Sequence, residues 1–143
     1  MKIFLDANIL VSVLNKEHPL FGYTARILSL ADDPKTQIFT TPICLAIAFY
    51  FAEKKYRSAS AKERLRLLSQ HLKIAPTNDH IVHSAFADPA VKDFEDGLEY
   101  YSALEAGCQC IVTEDKDDYH FSKIQVLTAQ EFYETHMARN SKN

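Results

Sequence analysis

Short apolar runs able to form buried strands alternate with longer helix-patterned stretches along this chain, and that alternation constrains its fold more than any other feature. Lys2 to Leu5 (KIFL) reads as a short strand, and the apolar spacing of Ile9, Leu10, Val13 and Leu14 suits a helix after it. Phe21 to Ala31 reads as a second helix, halted at Asp32-Asp33-Pro34, and Gln37 to Thr40 as a second strand. Pro42 can open a helix whose body, Ile43 to Phe51 (ICLAIAFYF), is apolar almost all round, which predicts burial against a sheet. Ser60 to Leu72 has helical spacing with Leu65, Leu68 and Leu72 on one face. A strand at Lys73 to Ala75 follows, then helices from about Asn78 to Phe86 and from Asp93 to Ala106, the latter ended by Gly107. Cys110 to Thr113 and Gln125 to Leu127 complete the strands, and the capping-box sequence Thr128 to Glu131 starts a closing helix through Arg139.

Such alternation predicts a three-layer α/β/α domain around a mainly parallel central sheet. No linker or repeat divides residues 1–143, so a single domain is expected, with about 140–143 a disordered tail. With 47% apolar residues and only three glycines the chain can build a core without disulfides or structural metal. The N-terminus meets Asp6 before any secretory apolar region can form, and no later run approaches the roughly 20 apolar residues of a membrane span, so a cytoplasmic protein without membrane attachment is expected. Cys108 and Cys110 are too close for an ordinary bridge, and all three cysteines read as reduced. His80 and His83 lack a third zinc ligand, and no phosphate-binding glycine loop, G-x-S-x-G or H-E-x-x-H is present.

The net charge of -3 hides a strong separation. Nine acids face a single base, Lys116, between Asp93 and Asp118. Asp6 ends the first strand, Glu114 to Asp118 follow the strand at Cys110 to Thr113, and Asp93, Glu95 and Asp96 open the helix before it, so a parallel sheet delivers all three segments to its carboxyl edge. Carboxylates crowded in this way call for a counter-charge, and hard oxygen ligands favour Mg²⁺ or Mn²⁺ and metal-assisted phosphodiester hydrolysis. Glu99 and Glu105, further along the same helix, read as solvated. From Phe51 to Lys73 there are seven bases against two acids, with Lys54, Lys55, Arg57 and Arg64 candidates for RNA phosphates and Tyr56 a candidate for stacking on an unpaired base.

Three segments in order, Phe4-Leu5-Asp6-Ala7-Asn8-Ile9-Leu10, Asp93 to Leu104 (DFEDGLEYYSAL), and Ile111-Val112-Thr113-Glu114-Asp115 with Asp118-Tyr119, resemble the PIN-domain family, nearest its VapC-type toxin ribonucleases. The resemblance implies an α/β/α domain with a Mg²⁺- or Mn²⁺-dependent endoribonuclease site. It matches Asp6, Asp96, Asp115 and Asp118 to the catalytic and metal-binding acids, with Thr113 and Asn8 in support. It further implies an RNA substrate, an antitoxin protein whose C-terminal segment covers the site, and a homodimer. The family's glutamate on the helix after the second strand is replaced by Ile47, and Glu53 lies more than a turn away. Asp93 or Glu95 then substitutes as ligand, or the chain is a catalytically silent PIN-fold module that binds RNA or protein.

Overall fold

A computed structural model describes residues 1–138; Arg139 and the tail expected at about 140–143 lie outside the described residues. Five strands, β1 (Lys2–Leu5), β2 (Gln37–Thr40), β3 (Lys73–Ile74), β4 (Cys110–Val112) and β5 (Gln125–Leu127), form one all-parallel sheet in the order β3-β2-β1-β4-β5. The first strand in sequence is therefore the central one, pairing Ile3 with Ile38 on one side and Phe4 with Ile111 on the other. Its Ile3, Phe4 and Leu5 are buried on both faces, as the unbroken apolar run requires of a central parallel strand.

The connecting helices are α1 (Ala7–Leu14), α2 (Phe21–Ser29), α3 (Pro42–Lys55), α4 (Ser58–Ser69), α5 (Asp79–Ala87), α6 (Phe94–Glu105) and α7 (Ala129–Phe132). α1 packs against α2, α3 and α4, α2 reaches α7, and α5 packs on α6. Side chains cap most of these helices. Thr41 accepts from the Cys44 N–H behind Pro42, Asn78 from Ile81, and Asp93 from Glu95, while Thr128 and Glu131 close the expected capping box. Gly107 ends α6 at φ +79°, a left-handed conformation that favours glycine.

Two elements differ from the sequence expectation. α3 buries only the stripe Cys44, Ala48 and Ala52, leaving Tyr50 and Phe51 57% and 42% exposed, because a helix lying on a sheet beside α1 and α4 has one side open to water. The closing helix is α-helical only from Ala129 to Phe132 and continues as a wider π-helical segment, Tyr133–Met137. No described helix is long and apolar enough to cross a membrane.

Candidate active site

Asp6 sits where β1 becomes α1 and serves both elements. Its N–H still bonds the Val112 carbonyl at 3.1 Å, as a continuing strand would, while Oδ1 accepts from the Ala7 N–H at 2.7 Å. Oδ2 accepts the hydroxyl of Thr113, just past β4, at 2.8 Å. Thr113 Oγ1 in turn accepts from Asn8 Nδ2 at 3.1 Å and from the Asp115 N–H at 3.0 Å. Asn8 Nδ2 also reaches Asp115 Oδ2 at 3.1 Å, and Asn8 Oδ1 accepts from the Glu114 N–H at 3.2 Å. One threonine and one asparagine thus tie Asp6 to Asp115 across the two middle strands.

The remaining acids arrive from α6 and from the 3-10 turn Lys116–Tyr119 that carries Asp118. They open on a cavity of about 420 Å³ lined by Asp6, Asp93, Glu95, Asp96, Asp115, Asp118 and Glu17, with no basic side chain among its lining residues. Burial, then the charges of Asp93, Asp118, Asp6 and Glu95, push Asp96 up to about 7. Burial also raises Glu95 and Asp118, helped by the neighbouring carboxylates. A site that resists carrying its own negative charge and offers hard oxygen donors fits a divalent cation.

Glu99 is the largest departure from the sequence reading. It is fully buried rather than solvated, with Oε1 accepting from the Cys44 thiol at 3.1 Å and Oε2 accepting from the Tyr119 hydroxyl. Ligand atoms of Asp6, Cys44 and Glu99 lie within 4.8 Å of one another, as do those of Glu95, Asp96 and Glu99. Burial first, then the Asp6 charge and a hydrogen bond to Asp6, hold the Glu99 carboxyl up at about 10, so it stands as a neutral acid beside Asp6. Its spacing from Asp96, three residues along α6, was the available signal: the two share a helix face.

A family model described as PIN domain matches residues 2–117. The chain belongs to the PIN domain family. This PIN domain is similar to Ribonuclease VapC1 of Aquifex aeolicus (strain VF5), 28% identical over 140 residues that span 93% of this chain and 94% of that protein. In fold it matches a chain of VapBC2 from Rickettsia felis, solved bound to a DNA fragment from its promoter, at TM-score 0.68 and 20% identity, over 89% of this chain and 97% of that one. A chain of VapBC-1 from nontypeable Haemophilus influenzae matches at TM-score 0.68 and 16% identity, over 91% and 99%. VapC20 of Mycobacterium tuberculosis, a toxin cleaving the sarcin-ricin loop, matches at 0.64 and 16%, over 86% and 98%.

Asp6, Asp96, Asp115 and Asp118 share the PIN cavity with Asp93 and Glu95, and Ile47 lines its wall in place of an acid. None of the basic candidates lines it. Lys55 Nζ bonds the Asn15 carbonyl, nine residues past Asp6 and about 13 Å further along α1. Arg64 stacks on the Tyr56 ring at 3.9 Å. Tyr56 itself is partly buried, with its hydroxyl on the Leu14 carbonyl at 3.4 Å. Arg57 is exposed before α4, and Lys54 is exposed on α3 over Tyr50 and Phe51.

Proposed function

We propose that this PIN domain is a Mg²⁺- or Mn²⁺-dependent endoribonuclease that hydrolyses RNA phosphodiester bonds, and the toxin of a toxin–antitoxin pair. The observation that carries the reading is the gathering of Asp6, Asp96, Asp115 and Asp118 in one cavity with no basic side chain lining it. The likeness to a protein named a ribonuclease supports the reaction, and the likeness to chains of VapBC structures supports an antitoxin partner. The same four acids would hold the cation, which when bound stabilises charge on the attacking and leaving oxygens of the phosphodiester.

The chain's own residues prepare that site. Thr113 and Asn8 fix the carboxylates of Asp6 and Asp115, so little reorganisation is needed as charge develops. Asp93 and Glu95 flank Asp96 as spare carboxylates where the family's glutamate is replaced by Ile47. Lys54, Lys55, Arg57 and Arg64 draw RNA toward the α3–α4 side of the domain by phosphate attraction. The protein works in the cytoplasm as a homodimer, and the antitoxin lays a segment over the acid cavity.

A second reading, a catalytically silent module that binds RNA or protein, is favoured by one observation: Ile47 faces the cavity. Cleavage of a mixed RNA pool with Mg²⁺ or Mn²⁺ separates the two. Wild type should cut, while Asp6→Asn and Asp96→Asn should not. Wild type that cuts no better than the double variant under either metal hands the site to the silent reading.

A further inference from the structure

The acid cavity has a second wall of opposite character. Opposite chemistry from its carboxylates is supplied by α1 and α3 through Ala7, Val11, Ile47 and Phe51, all of which line the same space. Ile47 gives α3 an apolar surface on the cavity side that runs to the Phe51 ring one turn further along. Phe51 is 42% exposed, and Tyr50 beside it 57%, their rings in edge contact with centroids 5.4 Å apart. The Lys54 ammonium stands over both, 4.3 Å from the Tyr50 centroid and 5.2 Å from that of Phe51, with no salt bridge to any described residue.

An apolar ring, a free cation beside it and a carboxylate site suited to a cation across about 420 Å³ are complementary to the three parts of a nucleotide in a single strand. The base would stack on the ring, a flanking phosphate would meet the lysine, and the scissile phosphate would lie at the carboxylates that would hold the cation. A paired base would present no free face to the ring. We infer that Phe51, floored by Ile47 and flanked by Lys54, forms a subsite for the unpaired base next to the scissile phosphate. This rests on the ribonuclease reading.

The test couples the ring to a base. Affinities of a short single-stranded RNA and of copies carrying one abasic position are measured by fluorescence anisotropy in the Asp6→Asn background, which leaves the RNA uncut. With Phe51 present, one abasic position should weaken binding about 10- to 100-fold. Phe51→Ala should weaken binding of intact RNA by a similar factor and lose sensitivity to that position. Phe51→Tyr should restore it, whereas Phe51→Leu, which keeps apolar bulk without a ring, should not. Lys54→Gln should lower the salt dependence by about one unit and keep the abasic effect. A protein indifferent to every abasic position, or a Phe51→Ala variant as sensitive as its parent, overturns the subsite. So does a Phe51→Ala variant that binds RNA normally and instead loses a protein partner. Cleavage by protein with Asp6 intact is read separately: abasic coupling without cleavage removes the hydrolase reading and leaves the base subsite standing.

Discussion

Thr113 donates a 2.8 Å hydrogen bond to Asp6 across a sequence separation of 107 residues, and the same oxygen accepts from Asn8 and Asp115. Together with Asn8, this hydroxyl fixes where the acids at the ends of β1 and β4 point. Thr113→Val keeps the shape and removes the oxygen. The expected outcome is a folded protein whose Mn²⁺ affinity, by isothermal calorimetry, is down about 10- to 100-fold, the usual effect of losing an outer-shell partner. Thr113→Ser should retain affinity, and equal affinities for Val and Ser would show that the bond orients nothing.

Glu99 separates shape from charge. Because its carboxyl is held protonated, Glu99→Gln replaces one neutral group by another, and chemical denaturation should find stability within about 1 kcal/mol of wild type. Glu99→Ala empties a fully buried site and strands the Tyr119 hydroxyl, which should lower stability by about 2–4 kcal/mol. A Gln variant as unstable as the Ala variant would mean that Glu99 works as an anion.

Stability without metal should fall as pH rises. Asp96 and Glu99 titrate at about 7 and about 10 in the folded protein, against about 4 in an unfolded chain. The folded state therefore binds more protons between those limits. Its advantage is complete below about pH 4 and is lost as pH climbs through the folded values. Melting temperature in chelator should drop from about pH 4 upward, with Asp96 contributing up to about pH 7 and Glu99 beyond it, and Asp96→Asn should make the drop between about pH 4 and about pH 7 shallower. Added Mn²⁺ should raise the melting temperature more at the higher pH. A chelated protein that melts higher at about pH 8 than at about pH 6 contradicts the assignment.

Gly97 of α6 lies tight against Ala85 of α5 and Val91 of the connection between the two helices. A Cβ there would lie 2.5 Å from Val91 Cγ1 and 3.2 Å from the Ala85 Cβ. Helix propensity favours alanine by about 1 kcal/mol, but the overlap with a stiff β-branched side chain outweighs it. Gly97→Ala should destabilise by about 1–3 kcal/mol in urea unfolding. Because Gly97 adjoins Asp96, Mn²⁺ binding should weaken too. A more stable variant would show that Val91 yields easily.

Much of this was legible in the sequence because parallel strands and carboxyl-edge sites leave strong local marks. Ile3 to Leu5 and Cys110–Val112 are unbroken apolar runs, with Asp6 directly after the first and Asp115 and Asp118 three and six residues past the second. What escaped depends on contacts between distant segments. Glu99 looked like surface charge because nothing nearby in sequence announces Cys44 and Tyr119 as its partners. Nor does the sequence announce that Leu14 and Arg64 approach Tyr56, which happens only in the fold. Composition alone overstated the burial of α3: its apolar residues run all round, yet α1, α4 and the sheet cover only one side.

The strand order has a consequence for when the site can exist. β1 is synthesised first but is the middle strand, and on one side its partner begins only at Cys110. A growing chain that stops short of that point leaves one long edge of β1 unpaired and lacks Thr113, Asp115 and Asp118 altogether. Such long-range pairing forms late, after loop closure across most of the polypeptide. The acid cavity is therefore all-or-none with respect to translation: a chain ending before Cys110 lacks the whole Asp115–Asp118 side, and an acid site of this design cannot form until synthesis has passed Asp118.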